Sequence, residues 1–171
     1  MVSMVKIAFD VGGVLFDDGS FELSPAAVLT VILAVEKYGK SNIYIISKAG
    51  PENQRKILDR LVAGDFYTRT NFQAFNVHFV REYEEKKVLC DGLDIDYMID
   101  DHVKVIRLVS SCRKCIPIWF GPSSIDRYES LMYELHEQEA LSSSNSARQK
   151  IIICRKWRGL RKLIEKIPQP Y

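Results

Sequence analysis

The chain has 171 residues, 47% of them hydrophobic and 27% charged, and carries a formal net charge of +2. That is enough apolar material for one ordinary core, so a single domain spanning residues 1–171 is expected, and a uniformly basic polyanion binder is excluded. No apolar run is long enough to span a bilayer, and Met1–Asp10 is too short for a secretory signal, so a reduced, cytoplasmic setting without membrane attachment is the default.

In chain order, Val5–Phe9 reads as a buried strand that ends on Asp10. Gly12 and Gly13 follow at once and predict a tight turn. The polar stretch Phe16–Leu23 reads as a loop. Ser24-Pro25 offers an N-cap followed by proline at the first helical position. The helix Pro25–Tyr38 then places Val28, Leu29, Ile32, Leu33 and Val35 on one apolar stripe and stops at Gly39.

Ile43–Ile46 is the second strand, with Ser47 and Lys48 just after it, and Glu52–Val62 is a helix with Ile57, Leu58 and Leu61 inward. Phe66–Ala74 fits either a short helix or a loop. Asn76–Val80 alternates as a strand, Tyr83–Cys90 is helical, and Asp96–Ile99 is a short strand leading into Asp100-Asp101. A helix over His102–Val109, a strand over Ile116–Phe120 and an amphipathic helix over Ile125–Ala140 follow. A serine-rich linker, residues 142–147, precedes a basic terminal unit: the strand Ile151–Cys154 and the helix Arg158–Ile167. Strands alternate with helices almost throughout, which predicts an α/β, Rossmann-like parallel sheet with helices on both faces.

Charge is spread unevenly. Residues 147–171 hold eight Lys and Arg against one Glu, a local charge of +7 that leaves −5 on the other 146 residues. A basic end on an acidic body admits contact with a polyanion such as nucleic acid, although a solvated helix face is the default reading. Of the four cysteines, Cys112 and Cys115 have the spacing of half a zinc site, but no second pair completes it. His78 reads as a packed strand histidine, His102 as a solvent-facing residue of a first helical turn, and Trp119, Phe120 and Trp157 as core.

The chemistry lies in an ordered set: Asp10 after the first strand, Ser47 after the second, Lys86 or Lys87 in a helix, and Asp100-Asp101 after a later strand. Open α/β sheets bind ligands at the carboxyl ends of their strands. Individually these residues have bland readings, since aspartates and serines at strand ends also serve as turn formers and helix caps. A two-component receiver domain shares the layering, but places its acidic pair near the first strand and its lysine late, which is not the order here.

The runs Phe9-Asp10-Val11-Gly12-Gly13-Val14-Leu15, Ile45-Ile46-Ser47, Lys86 and Ile99-Asp100-Asp101 resemble the four motifs of the haloacid dehalogenase-like superfamily, over nearly the whole chain. Ile46-Ser47-Lys48-Ala49-Gly50-Pro51, Phe79-Val80-Arg81-Glu82 and Ile118-Trp119-Phe120-Gly121-Pro122 resemble a small-hydrolase group within it. The resemblance implies a magnesium-dependent phosphatase acting on a phosphorylated substrate. Asp10 would be the nucleophile that takes up the phosphoryl group. Ser47 and Lys86 would hold that group, with Gly12, Gly13 and Lys48 completing the substrate-binding set. Asp10, the Gly12 carbonyl, Asp100 and Asp101 would ligate Mg²⁺. Lys86 is preferred over Lys87 because it precedes Asp100 by 14 positions, the spacing of the small-hydrolase group.

One departure matters. The family usually places a second aspartate, the general acid and base, where this chain has Gly12. General acid–base help contributes on the order of 10²–10⁴-fold, so a slow enzyme is expected, or a catalytically inactive protein that keeps the phosphate and metal pocket. Asp17 and Asp18 lie just beyond the turn, with nothing in the sequence to fix them at the site. The gaps of 36 residues between Asp10 and Ser47 and 38 between Ser47 and Lys86 leave no room for a cap domain. Capless members of the family act on macromolecules or close the site with an oligomer partner, so a homo-oligomer is a further expectation.

Overall fold

A computed structural model of the chain describes residues 4–17, 19–121 and 150–168. Six strands form one parallel sheet: β1 (Ile7–Phe9), β2 (Ile43–Lys48), β3 (Val77–Val80), β4 (Tyr97–Asp100), β5 (Ile116–Phe120) and β6 (Ile152–Cys154). Their spatial order is β3-β2-β1-β4-β5-β6. The order in which strands are added reverses between β1 and β4, the crevice where doubly wound folds bind ligands.

Alternation along the strands builds the two faces. Ile7, Phe9, Ile43, Ile45, Ile99, Ile118 and Phe120 join one core layer. It is covered by α1 (Pro25–Tyr38), α2 (Pro51–Ala63), α3 (Phe66–Thr70) and α6 (Trp157–Lys166). Ala8, Tyr44, Ile46 and Met98 point the other way, against α4 (Tyr83–Gly92) and α5 (Val103–Val109). Helices therefore cover both faces of a Rossmann-like α/β sheet, and no cap domain is present among the described residues.

Several boundaries move from the sequence reading. β2 runs on through Ser47 and Lys48, and β4 through Asp100, so these polar residues end their strands rather than follow them. Phe66–Ala74 resolves into a one-turn helix that ends at Asn71 in a left-handed conformation. On α1 the inward face is Ala27, Val28, Thr30, Val31, Ala34, Val35 and Tyr38, while Leu29 is 56% exposed. On α2, Ile57 and Leu61 are buried but Leu58 is not. His78 is half-buried beside Tyr44 on the edge strand β3. The four cysteines are free and buried. The predicted helix Ile125–Ala140, the serine-rich linker and Asp18 lie outside the described residues.

The terminal helix is fastened to α1. Leu160 and Ile164 are buried against it, and the Tyr38 hydroxyl donates to the carbonyls of Ile164 (2.6 Å) and Ile167 (3.1 Å). The Lys37 ammonium donates to the carbonyls of Ile164, Glu165 and Ile167. These bonds satisfy the acceptors that a helix C-terminus leaves open. Burial pushes the Tyr38 phenol up to about 12, so it stays a donor at any physiological pH.

Candidate active site

β1 is entirely buried, and its ladder extends one residue further, since the Asp10 amide donates to the Ile99 carbonyl at 2.9 Å. Parallel pairing sets Phe9 opposite Ile99, which makes Asp10 and Asp100 neighbours on adjacent strands. Both alternate onto the face that carries α4. The chain then turns sharply: the amides of Val14 and Phe16 both donate to the Val11 carbonyl, and Phe16 pairs back with Leu23.

Lys86 lies one turn into α4, and helical side chains tilt toward the helix N-terminus, here toward the strand tips. Its ammonium donates to Asp10 Oδ1 at 2.7 Å and to Asp100 Oδ2 at 2.6 Å, and the side chain is 1% exposed. Lys87 points elsewhere and pairs with Asp91 at 3.0 Å. The second oxygen of Asp100 accepts from the His102 amide at 2.8 Å. Burial alone would depress the Lys86 ammonium, but the charges and hydrogen bonds of Asp10 and Asp100 outweigh it and leave its pKa above the usual lysine range. Asp100 is pushed up to about 7, first by complete burial and then by the neighbouring Asp10, against the pull of Lys86.

Asp101 closes the group. Asp10, Asp100 and Asp101 each offer a carboxylate oxygen, all within 4.8 Å of one another. The Trp119 indole donates to the Asp101 carbonyl at 3.1 Å and fixes the backbone there. Gly13 packs under the Asp101 carboxylate: a Cβ on Gly13 would lie 2.2 Å from Asp101 Oδ2, and its φ of +67° disfavours any side chain. Gly12 differs, since a Cβ there would meet nothing within 4 Å. Three hard oxygen donors this close suit a small divalent cation such as Mg²⁺. The second oxygen of Asp10 has no hydrogen-bond partner among the described residues, so it is available as a ligand or a nucleophile.

The other expected residues flank this centre. Ser47 is buried and, by the β1–β2 register, stands one residue beyond the level of Asp10. It makes no hydrogen bond to the acidic group among the described residues. Lys48 alternates to the α4 face, with its ammonium 4.2 Å from the Tyr83 ring centroid. Tyr83 stacks on His102 at 4.3 Å, and the His102 Nδ1 accepts from the Lys104 amide. Partial burial and then the nearby Lys86 charge depress the His102 pKa, which favours the neutral imidazole. His102 is exposed at the start of α5, in line with the sequence expectation, whereas its stacking partner Tyr83 was not singled out from the sequence. A periodicity argument has no means of seeing a ring pair formed between two helix starts.

No family model matches the chain, and no curated protein resembles it in sequence. Among solved structures it is similar to a de novo designed Rossmann 3x3 fold protein, with a TM-score of 0.51 at 12% identity over 98% of this chain and 97% of that one. It is also similar to a protein described as a haloacid dehalogenase-like hydrolase from Burkholderia xenovorans LB400, with a TM-score of 0.48 at 10% identity over 85% of this chain and 57% of that one. At such identities the first likeness establishes the Rossmann-like layering and nothing about activity, and the second carries no weight by itself.

Proposed function

We propose that the chain is a capless, magnesium-dependent phosphohydrolase that works through Asp10. The observation that carries this reading is the fully buried Lys86 ammonium shared between Asp10 and Asp100, with Asp101 beside them, at the carboxyl edge of the sheet where the strand order switches between β1 and β4. An ammonium is seldom buried so completely, and a network of this kind in a cleft is a hallmark of functional sites. Asp10, Asp100 and Asp101 would hold the cation, which would supply positive charge to offset the repulsion between a phosphate dianion and the carboxylates. Lys86 fixes the Asp10 carboxylate through one oxygen and leaves the other to attack phosphorus. The bond from phosphorus to the leaving oxygen breaks, and water later hydrolyses the aspartyl-phosphate. Ser47 and Lys48 lie on the neighbouring strand as partners for phosphoryl oxygens.

A direct test is hydrolysis of p-nitrophenyl phosphate with Mg²⁺. Slow turnover is expected from the parent, none with a chelator present, and none from Asp10→Asn. Activity that survives in Asp10→Asn would refute the assignment.

Gly12 favours a second reading, a module that binds phosphate and metal without turnover. No acid side chain stands at that position, although the space for one is open. Gly12→Asp separates the two. If proton transfer is the sole defect, turnover should rise by on the order of 10²–10⁴-fold. If the parent is silent and Gly12→Asp stays silent while Mg²⁺ still binds, the binding module is the better description.

A further inference from the structure

We infer that the outer face of α6 is a docking surface for the sugar–phosphate backbone of a nucleic-acid duplex. Arg158, Lys162 and Lys166 recur every four residues and form one row about 12 Å long. Arg155 and Lys156 lie just before the helix, between it and the end of β6. All five side chains are exposed. The buried residues Leu160 and Ile164 occupy the opposite side of the helix.

Two contrasts within the molecule give the row its meaning. Several lysines elsewhere are neutralised by neighbours: Lys56 by Glu52, Lys87 by Asp91, Lys104 by Glu84, and Lys114 by Asp94 and Asp96. None of Arg155, Lys156, Arg158, Lys162 or Lys166 makes an ion pair among the described residues, and Glu165 is the one acid of that helix. The second contrast concerns apolar surface. A membrane-binding helix needs its apolar side free, whereas the apolar side of α6 is spent on α1 and fastened by Lys37 and Tyr38. What remains outward is charge alone, which suits backbone phosphates rather than lipid chains. No stacking platform accompanies it, since Trp157 packs on Phe120 at 4.4 Å, so a duplex fits better than a single strand. Because every strand is parallel, the β6–α6 junction lies at the same edge of the sheet as Asp10.

The inference does not depend on hydrolysis, and its test reads binding alone. A fluorescein-labelled 20-base-pair DNA duplex is titrated with the full chain by anisotropy between 50 and 200 mM salt. The quadruple variant Arg155→Gln, Arg158→Gln, Lys162→Gln, Lys166→Gln is compared with a control on α2, Arg55→Gln, Lys56→Gln, Arg60→Gln. Each cation on a phosphate contributes roughly −0.9 to the slope of log K against log salt, so the parent should exceed the quadruple variant by about 3 to 4 in slope. The variant should also lose at least about tenfold in affinity at the lowest salt while keeping its circular dichroism, and the control should bind as the parent does. No binding by the parent, an equal loss in the control, or an unchanged slope in the variant would overturn the inference. So would parent binding confined to phosphatidylserine vesicles.

Discussion

Two groups of cations in this molecule obey opposite rules. Lys86 is sealed in the β1–β4 crevice with two carboxylates, and its value lies in not being free. The α6 row is exposed and makes no ion pair among the described residues, and the docking role inferred for it depends on those charges being free. Taking an ammonium out of water is tolerated only when its partners are fixed and close, so the first arrangement is rigid and intolerant of change. Exposed charges cost little and can be removed one at a time. The difference teaches that residue type says little here about role. Position relative to the sheet decides it.

The sharpest way to break the contrast is Lys86→Met. It leaves Asp10 and Asp100 facing each other without a counter-charge, and the expected loss is about 3–5 kcal/mol in urea unfolding. A loss within the range of a surface substitution would mean that the pair does not hold the crevice together. Gly13→Ala should follow, at about 1–3 kcal/mol from its left-handed backbone. It should also weaken Mg²⁺ binding, since the new methyl displaces the Asp101 carboxylate. Isothermal titration with Mg²⁺ checks the second effect. Tyr38→Phe removes one of the two donors to the Ile164 and Ile167 carbonyls, Lys37 keeping the other, and should cost about 0.5–1.5 kcal/mol. Neutralising Arg158 and Lys162 together should change stability by less than about 0.5 kcal/mol per site. A large loss there would move α6 into the same class as the crevice.

Acidity offers a further way to sharpen the comparison. The Asp100 carboxyl is raised above its unfolded value, so the folded state holds its proton longer than the unfolded one. That contribution to stability is complete below the unfolded pKa and is lost as pH rises through about 7. The metal-free protein should therefore weaken across this window, measured as Tm against pH. A cation takes the place of the proton, so Mg²⁺ should restore the loss and bind more tightly at higher pH. The α6 cations predict no corresponding step.

Much of the fold was legible because strand and helix periods differ. Ile43–Ile46, Asp96–Ile99 and Ile116–Phe120 are apolar runs bounded by breakers, and each became a strand in the expected sheet. The α1 stripe was less legible because the helix is apolar nearly all round. Leu29 fits the pattern as well as Val31 does, and only packing decides between them. At the candidate site, the sequence shows that acids end the strands but not which lysine reaches them. Lys86 and Lys87 are adjacent, and a turn of about 100° between neighbours separates a buried bridge from a surface pair. The Gly13–Asp101 contact and the Tyr83–His102 stack join segments distant in the chain, and no local pattern encodes them.

The proposed function requires one cation and one phosphoryl group to meet at Asp10. A crystal soaked with Mg²⁺ and BeF₃⁻ tests this directly. Beryllium bonded to the free oxygen of Asp10, with Mg²⁺ ligated by Asp10 and by Asp100 or Asp101, is the predicted result. Beryllium absent from Asp10, or Mg²⁺ bound away from the acidic group, would contradict it.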